Sequence, residues 1–125
     1  MNRFTHFELA TNDFEKTAAF YRDVFGWQIQ KWEGPVDYWL VTTGGEDTAG
    51  INGGLVEADE NFKGTINTIE VDDIDAAIAR VTAHGGQIVI DKHEIPGVGL
   101  QAYFKDNAGV VVGLHQALSS TAAGS

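Results

Sequence analysis

Hydrophobic and polar positions along residues 65–90 predict a strand, a helix and another strand in immediate succession. The segment TINTIEV that opens this stretch is rich in β-branched residues, which favour strands. Apolar residues then recur at the i, i+3, i+4 and i+7 positions of one helix face, namely Ile74, Ala77, Ile78 and Val81. Asp72 or Asp73 can cap the start of this helix. The glycine pair at 85–86 is predicted to end it as a left-handed cap, before residues 87–90 resume as a strand.

A second copy of this pattern lies about 60 residues earlier, in the segment FTHFELATNDFEKTAAFYRDVFGWQI. Its strand alternates polar His6 and Glu8 with apolar neighbours, and either Asn12 or Asp13 can cap the helix that follows. The two helix stripes align at one offset, with Phe14 matching Ile74, Ala18 matching Ile78, Tyr21 matching Val81 and Gly26 matching Gly86. A Gly-Leu pair at 54–55 matches another at 113–114, one residue out of step. The shared glycine positions indicate an internal duplication.

Three more strands are predicted after the helix in each copy. Strand propensity and turn residues place them at 27–32, 38–43 and 50–56 in the first copy, and at 87–92, 100–104 and 110–115 in the second. The segment HEIPGVG at 93–99 is predicted to be a loop, because its proline and two glycines exclude regular structure. Each copy is therefore a βαβββ module, and the acidic segment 57–64 links the two.

The pattern predicts an α+β fold in which two tandem βαβββ modules, at about residues 3–57 and 64–117, form one domain over residues 1–118. A single helix covers one face of each predicted sheet and leaves the other face uncovered. Two such sheets placed side by side would curl into an open half-barrel whose concave side can hold a ligand. The small, polar segment 119–125 is predicted to be a flexible tail.

Composition narrows the range of partners. The chain of 125 residues is long enough to bury a core, and the absence of cysteine excludes disulfides and thiolate metal ligands. A formal net charge of −10 argues against nucleic acid and anionic membranes as partners. No apolar run approaches the roughly 20 residues of a membrane span, and the N-terminal segment MNRFTHFELA lacks the hydrophobic region of a signal peptide. We therefore expect a soluble, cytoplasmic protein.

The chain resembles the vicinal oxygen chelate superfamily, which includes glyoxalase I, bleomycin-resistance proteins, fosfomycin-resistance proteins and extradiol dioxygenases. The segments that carry the resemblance are HFELATNDFEKTAAFYRDVFGW, YWLVTT, GINGGL, VDDIDAAIARVTAHGG, IPGVG and YFKDNAGVVVGLHQ. They extend from Phe4 to Gln116, which is nearly the whole chain. The resemblance implies the βαβββ fold, but it leaves the function open because this fold hosts many chemistries.

Metal-using members of that superfamily take ligands from four strand positions, two in each module. In this chain the resemblance places those positions at His6, Gly54, Ile66 and Gly113, with Asn67 beside the third. Only His6 among the four can bind a metal, whereas a divalent ion usually needs three or more protein ligands. We therefore expect no cofactor, and a divalent metal is disfavoured, together with glyoxalase I activity and extradiol cleavage.

His6 and Glu8 are the first candidate site residues. They face the concave side if Phe7 and Leu9 pack beneath the helix. His6 can act as an acid–base group with a pKa near neutrality, and Glu8 can accept a hydrogen bond from a ligand or from His6. The alternatives are a purely structural histidine and a solvated strand carboxylate.

The other candidates lie on the strands that correspond to these in the two copies. Thr68 shares a face with Glu70, His115 shares a face with Gly113, and Asn52 shares a face with Gly54. A strand asparagine or an exposed histidine in a purely structural role would look the same. Large aromatic residues in or beside strands can form a flat ligand site or simply pack in the core. Among Trp32, Tyr38, Trp39, Tyr103 and Phe104, we select Trp39 and Tyr103 as ligand-binding candidates.

These observations predict a glyoxalase/bleomycin-resistance-like protein that binds a small organic ligand in its cavity without a metal. The acidic balance and the aromatic residues would suit a cationic ligand. An alternative is a lyase, isomerase or dioxygenase-type enzyme that uses His6 with Glu8 or His115 as acid–base groups or metal ligands. A third hypothesis is a module that binds other protein chains and leaves its cavity unused. The resemblance also implies a homodimer.

Overall fold

The computed structural model describes residues 1–118, and the predicted flexible tail at 119–125 lies outside them. The strands and helices follow one another in the predicted order, which confirms the α+β class. The elements are β1 (Arg3–Thr11), α1 (Phe14–Phe25), β2 (Gln28–Lys31), β3 (Trp39–Thr42), β4 (Gly53–Glu57), β5 (Thr65–Glu70), α2 (Ile74–Ala83), β6 (Gln87–Ile95), β7 (Gly99–Lys105) and β8 (Val111–Ala117). No helix within residues 1–118 is long and apolar enough to cross a membrane.

The chain divides into two compact units. The first unit is Thr5–Asn67, and the second unit joins Met1–Phe4 to the described part of Thr68–Ser125. Each unit contains one helix and strands in the predicted βαβββ order. The internal duplication is therefore visible as two similar structural units, although β1 and β5 each pass from one unit to the other.

The first unit has its strands in the order β2-β3-β4-β1, with β1 parallel to β4. Its core consists of Ala18 from α1 and three buried strand residues, Ile29, Val41 and Leu55. Phe7 and Leu9 pack against this core. Because successive strand side chains point to opposite faces, His6 and Glu8 lie on the face away from α1, as predicted.

The second unit has the corresponding order, β5-β8-β7-β6, with β5 parallel to β8. Its core contains Val71, Ile74, Ala102, Phe104 and Leu114. Leu9 pairs with Leu55 in the first unit, and Ile69 pairs with Leu114 in the second. The strand pairing thus agrees with the sequence match between the two copies. It includes the one-residue change of offset at the Gly-Leu pairs.

The helix ends follow local capping chemistry. The Asp13 side chain accepts a hydrogen bond from the backbone of Lys16 and caps α1, and Asp73 caps α2 in the same way. Gly26 ends α1 in the left-handed region with φ of 73°. The second helix ends at the glycine pair as predicted: His84 is its C-cap with φ of −107°, and Gly85 follows in the left-handed region with φ of 95°.

The predicted loop at 93–99 is wrong over its first three residues and at its last, Gly99, which begins β7. Strand β6 continues to Ile95, and β6 pairs with β7 from His93 opposite Gln101 to Ile95 opposite Gly99. The reversal is confined to residues 96–98, where the backbone N–H of Val98 donates to Ile95 over 2.9 Å. The proline and glycines therefore form a tight hairpin turn rather than a long loop.

Candidate functional site

Polar side chains collect on the sheet face opposite the helix in each unit. We call His6, Glu8 and Tyr38 the first cluster. We call Thr68, Glu70, Gln101, Tyr103 and His115 the second cluster. Each cluster surrounds a glycine in its own sheet, Gly54 in the first unit and Gly113 in the second.

In the first cluster a hydrogen bond of 2.8 Å joins Nε2 of His6 to the Tyr38 hydroxyl. The Glu8 carboxylate lies 4.0 Å from the same ring nitrogen, and Glu8 is only 5% exposed. His6 itself is half-buried. The arrangement thus places an imidazole, a phenol and a buried carboxylate side by side, which is a set of groups able to bind a polar ligand or to transfer a proton.

Gly54 explains how Tyr38 reaches His6. Gly54 lies opposite Glu8 on β1 and opposite Leu40 on β3. A side-chain Cβ placed on Gly54 would overlap the Tyr38 ring and hydroxyl. The Tyr38 phenol therefore occupies the space that any larger residue at this position would need.

Trp39 lies on the opposite face of the same sheet. Its ring contacts Phe14 of α1 with 5.7 Å between centroids, and it packs against the buried core of the first unit. Strand alternation places one of Tyr38 and Trp39 on the inward face without indicating which, and Trp39 is the candidate that we select from the sequence. The structure brings Tyr38 to His6 and does not bring Trp39 there.

In the second cluster, strand pairing aligns the side chains in two adjacent rows. Thr68, Gly113 and Tyr103 lie opposite one another on β5, β8 and β7, and so do Glu70, His115 and Gln101. Nδ1 of His115 and the side-chain oxygen of Gln101 are 2.8 Å apart. The Thr68 hydroxyl is buried and has no hydrogen-bond partner within the described residues.

Two opposing effects act on His115. Burial lowers the pKa of its imidazole from the ordinary value of 6.5, and the nearby Glu70 carboxylate raises it by a smaller amount. The net direction is downward. The neutral form of the ring is therefore favoured at pH 7.

The four metal-ligand positions of the superfamily do not fit a metal in this chain. The space beside Gly54 is filled by Tyr38, and a Cβ on Gly113 would lie 2.5 Å from the Thr68 hydroxyl and close to Tyr103. Ile66 is buried and offers no lone pair. No three His, Asp or Glu side chains converge within residues 1–118 in a way that could hold an ion.

Asn52 has a structural role at the start of β4. Its side-chain oxygen accepts hydrogen bonds from the backbone N–H and the hydroxyl of Thr43, at 2.8 and 3.2 Å. Asn52 thus closes the connection between β3 and β4, and it is exposed. A shallow depression of about 130 Å³ lies in this connection, and it contains no residue of the first cluster.

A larger open groove lies on the helix side of the first unit. It has a volume of about 470 Å³ and runs between α1 and β1. Leu9, Lys16, Phe20 and Tyr21 contribute to its lining. The groove is therefore on the other side of the sheet from His6.

Gln101 was missed by the sequence analysis, and Tyr38 was only one of two options. A signal for Gln101 is present in the strand alternation that it shares with the selected Tyr103, and its strand pairs with the strand of His115. Tyr38 is distinguished from Trp39 by the space beside Gly54, which the Tyr38 side chain fills. That space depends on which strands pair, and the local sequence does not predict the pairing.

Comparison with known proteins agrees with this fold. The family model for the Glyoxalase/Bleomycin resistance protein/Dioxygenase superfamily matches residues 3–114. The candidate glyoxylase CFP32 of Mycobacterium bovis and that of Mycobacterium tuberculosis are each 34% identical over 116 residues. The match covers 88% of this chain but only 44% of those proteins, so the chain spans less than half their length.

Solved structures at lower identity share the fold. Methylmalonyl-CoA epimerase from Mycobacterium tuberculosis is 19% identical with a TM-score of 0.69, over 96% of this chain and 91% of the epimerase. A Streptomyces coelicolor methylmalonyl-CoA epimerase variant in complex with 2-nitronate-propionyl-CoA is 19% identical with a TM-score of 0.70, over 94% and 99%. A hypothetical protein from Bacillus halodurans is 15% identical with a TM-score of 0.68, over 91% and 93%. On the strength of the family match, this chain belongs to the Glyoxalase/Bleomycin resistance protein/Dioxygenase superfamily.

Proposed function

We propose that the protein binds a small organic ligand at the first cluster without a resident metal. The observation that carries the proposal is the position of Tyr38, whose hydroxyl bonds Nε2 of His6 and fills the space beside Gly54. The phenol occupies the space into which a metal-binding side chain at position 54 would project. A hydrogen-bonding group thus replaces an ion as the partner of His6.

The chemistry around Tyr38 suits a flat molecule with a polar or cationic group. The Trp32 ring meets the Tyr38 ring edge-to-face, with 6.2 Å between centroids. Such aromatic surfaces supply apolar contact, while the buried Glu8 carboxylate and a chain charge of −10 attract positive charge. The Streptomyces coelicolor epimerase variant of similar fold is in complex with 2-nitronate-propionyl-CoA, which supports an organic ligand as the class.

The proposal is tested by two measurements on untagged protein. Elemental analysis is expected to find no stoichiometric Ni, Zn, Mn or Fe. Titration with a library of planar amines and heterocycles is expected to quench Trp32 fluorescence. Tyr38→Ala should lower the affinity for the best compound about tenfold, because its aromatic and hydroxyl contacts are lost. Tyr21→Ala on α1 is the control for general loss of an aromatic residue, and its ligand affinity should be unchanged.

Two results would contradict this function. One is a tightly held ion at one equivalent per chain. The other is a library that leaves the fluorescence unchanged although the Tyr38→Ala and parent proteins are folded, which would favour the hypothesis of a module that binds other protein chains.

An acid–base enzyme of the same superfamily is the second candidate. The distance of 4.0 Å between Glu8 and His6 favours it, because a carboxylate so placed can stabilise a protonated imidazole. His6→Ala should then abolish proton exchange at the α-carbon of a bound carbonyl compound, measured by deuterium incorporation. Unchanged exchange in His6→Ala would exclude His6 as the acid–base group. A cytoplasmic location and a homodimer stay predictions.

A further inference from the structure

The second cluster presents two hydrogen-bond acceptors without a donor. The Glu70 carboxylate forms no ion pair and no side-chain hydrogen bond within residues 1–118. His115 uses Nδ1 for Gln101, and its other ring nitrogen has no partner among the described residues. Glu70 and His115 lie opposite each other on β5 and β8. Acceptors in this arrangement can be satisfied by a group that brings N–H donors.

Gln101 determines which nitrogen of His115 carries the proton. The side-chain oxygen of Gln101 can only accept, so Nδ1 of His115 donates to it over 2.8 Å. In the neutral ring the proton is therefore on Nδ1, and Nε2 is an acceptor. Gln101 is only 6% exposed and pairs with His115 across β7 and β8, so the sheet holds this orientation.

Further features distinguish this position from an ordinary polar surface. In the adjacent row Thr68 is 1% exposed, and its buried hydroxyl has no hydrogen-bond partner within residues 1–118, which is uncommon for a buried polar atom. The middle of that row is Gly113, which has no side chain. Tyr103 flanks Gly113 with its ring. The cluster thus combines unsatisfied polar atoms with an aromatic surface, as small-molecule sites do.

We propose that Glu70, His115 and Gln101 form a subsite for the protonated amine of a small organic cation. The amine donates one N–H to Nε2 of His115, the Glu70 carboxylate balances its charge, and Gln101 positions the ring. Anions are excluded by the same geometry, because Glu70 repels them and Nε2 has no proton to donate. The inference concerns the second unit alone and stands whether or not the first cluster binds a ligand.

The test uses benzylammonium as the probe, with benzoate and benzyl alcohol as probes of similar size and different charge. Calorimetry at pH 7.5 should show binding of benzylammonium and weaker or absent binding of the other two. Glu70→Gln keeps the shape of the side chain and removes its negative charge, so it should lower the affinity for benzylammonium about fivefold or more. Glu94→Gln, which neutralises an exposed carboxylate on β6, is the matched control and should leave the affinity for benzylammonium unchanged.

Nitrogen NMR of ¹⁵N-histidine-labelled protein gives a second readout. Nε2 of His115 should have the shift of an unprotonated nitrogen, and benzylammonium should move that resonance. A proton on Nε2, equal binding of benzoate, equal effects of Glu70→Gln and Glu94→Gln, or no binding of benzylammonium would each overturn the proposal. Thermal unfolding of both variants confirms that they are folded.

Discussion

At the scale of single residues, each cluster depends on a neighbour that has no side chain. Gly54 leaves room for Tyr38 to reach His6, and Gly113 brings the Thr68 hydroxyl against the backbone of β8. The resulting environments differ, because Tyr38 is hydrogen-bonded whereas the Thr68 hydroxyl has no partner within residues 1–118. Equivalent glycines in a duplicated chain have therefore acquired different surroundings.

The unsatisfied hydroxyl leads to a stability prediction. Thr68→Val replaces the hydroxyl with a methyl group of similar size, so it removes a desolvated polar atom without breaking a hydrogen bond. We expect the free energy of unfolding to rise by about 1 kcal/mol, measured by urea denaturation.

Thr11→Val is the matched control for that substitution. The Thr11 hydroxyl accepts from the backbone of Asp13 at 2.9 Å and also bonds the Thr17 hydroxyl at 2.7 Å. Its removal should lower the free energy of unfolding by about 1 kcal/mol. Destabilisation of the Thr68→Val protein by a similar amount would show that its hydroxyl does make a stabilising contact.

At the scale of elements, local chemistry predicted the helices and tertiary pairing decided the strand ends. Asp13 and Asp73 cap the helices as expected, since a cap satisfies backbone groups only two or three residues away. Strand β6 extends three residues further than predicted because β7 supplies partners up to Ile95. Hydrogen bonds from a neighbouring strand thus outweigh the weak strand preference of HEI.

Strand β4 shows how two adjacent glycines serve different purposes. A Cβ on Gly53 would overlap the backbone oxygen of Phe7, whereas one on Gly54 would overlap the end of the Tyr38 side chain. Gly53→Ala should therefore cost about 3 kcal/mol of unfolding free energy and Gly54→Ala only about 1, because a side chain can move and a paired strand cannot.

A double-mutant cycle checks this explanation. In the Tyr38→Ala background, Gly54→Ala should become neutral, while Gly53→Ala should keep its full cost. Equal costs for the two glycines in both backgrounds would contradict the assignment of Tyr38 to the space beside Gly54.

At the scale of the whole molecule, the duplicated units differ in the side chains that their helices expose. Phe20, Val24 and Phe25 of α1 are 55%, 55% and 60% exposed. The residues at the same offset in the second copy are Arg80, His84 and Gly85. Exposed apolar patches of this kind mark interaction surfaces, and the predicted homodimer would cover this one.

The second helix supplies the substitutions that test this prediction. Phe20→Arg with Val24→His places the residues of the second helix on the first, and it should convert a dimer to a monomer in sedimentation velocity experiments. Val110→Ser, which removes an exposed apolar residue between β7 and β8, should leave the dimer intact. A monomeric parent protein, or a dimer that survives the double substitution, would contradict a homodimer formed through α1.

The sequence alone determined the duplication, the order of elements, the capped helices and the absence of metal-binding side chains at three of the four family positions. The first three follow from periodicity and residue type, which are patterns in the sequence, and the fourth from the positions that the superfamily resemblance implies. Only the tertiary structure decided that Tyr38 rather than Trp39 meets His6, that Gln101 orients His115, and that the buried Thr68 hydroxyl has no partner among residues 1–118. Those outcomes depend on which strands pair and in what register, and this pairing includes residues far apart in sequence, such as Glu8 with Gly54 and Thr68 with Gly113.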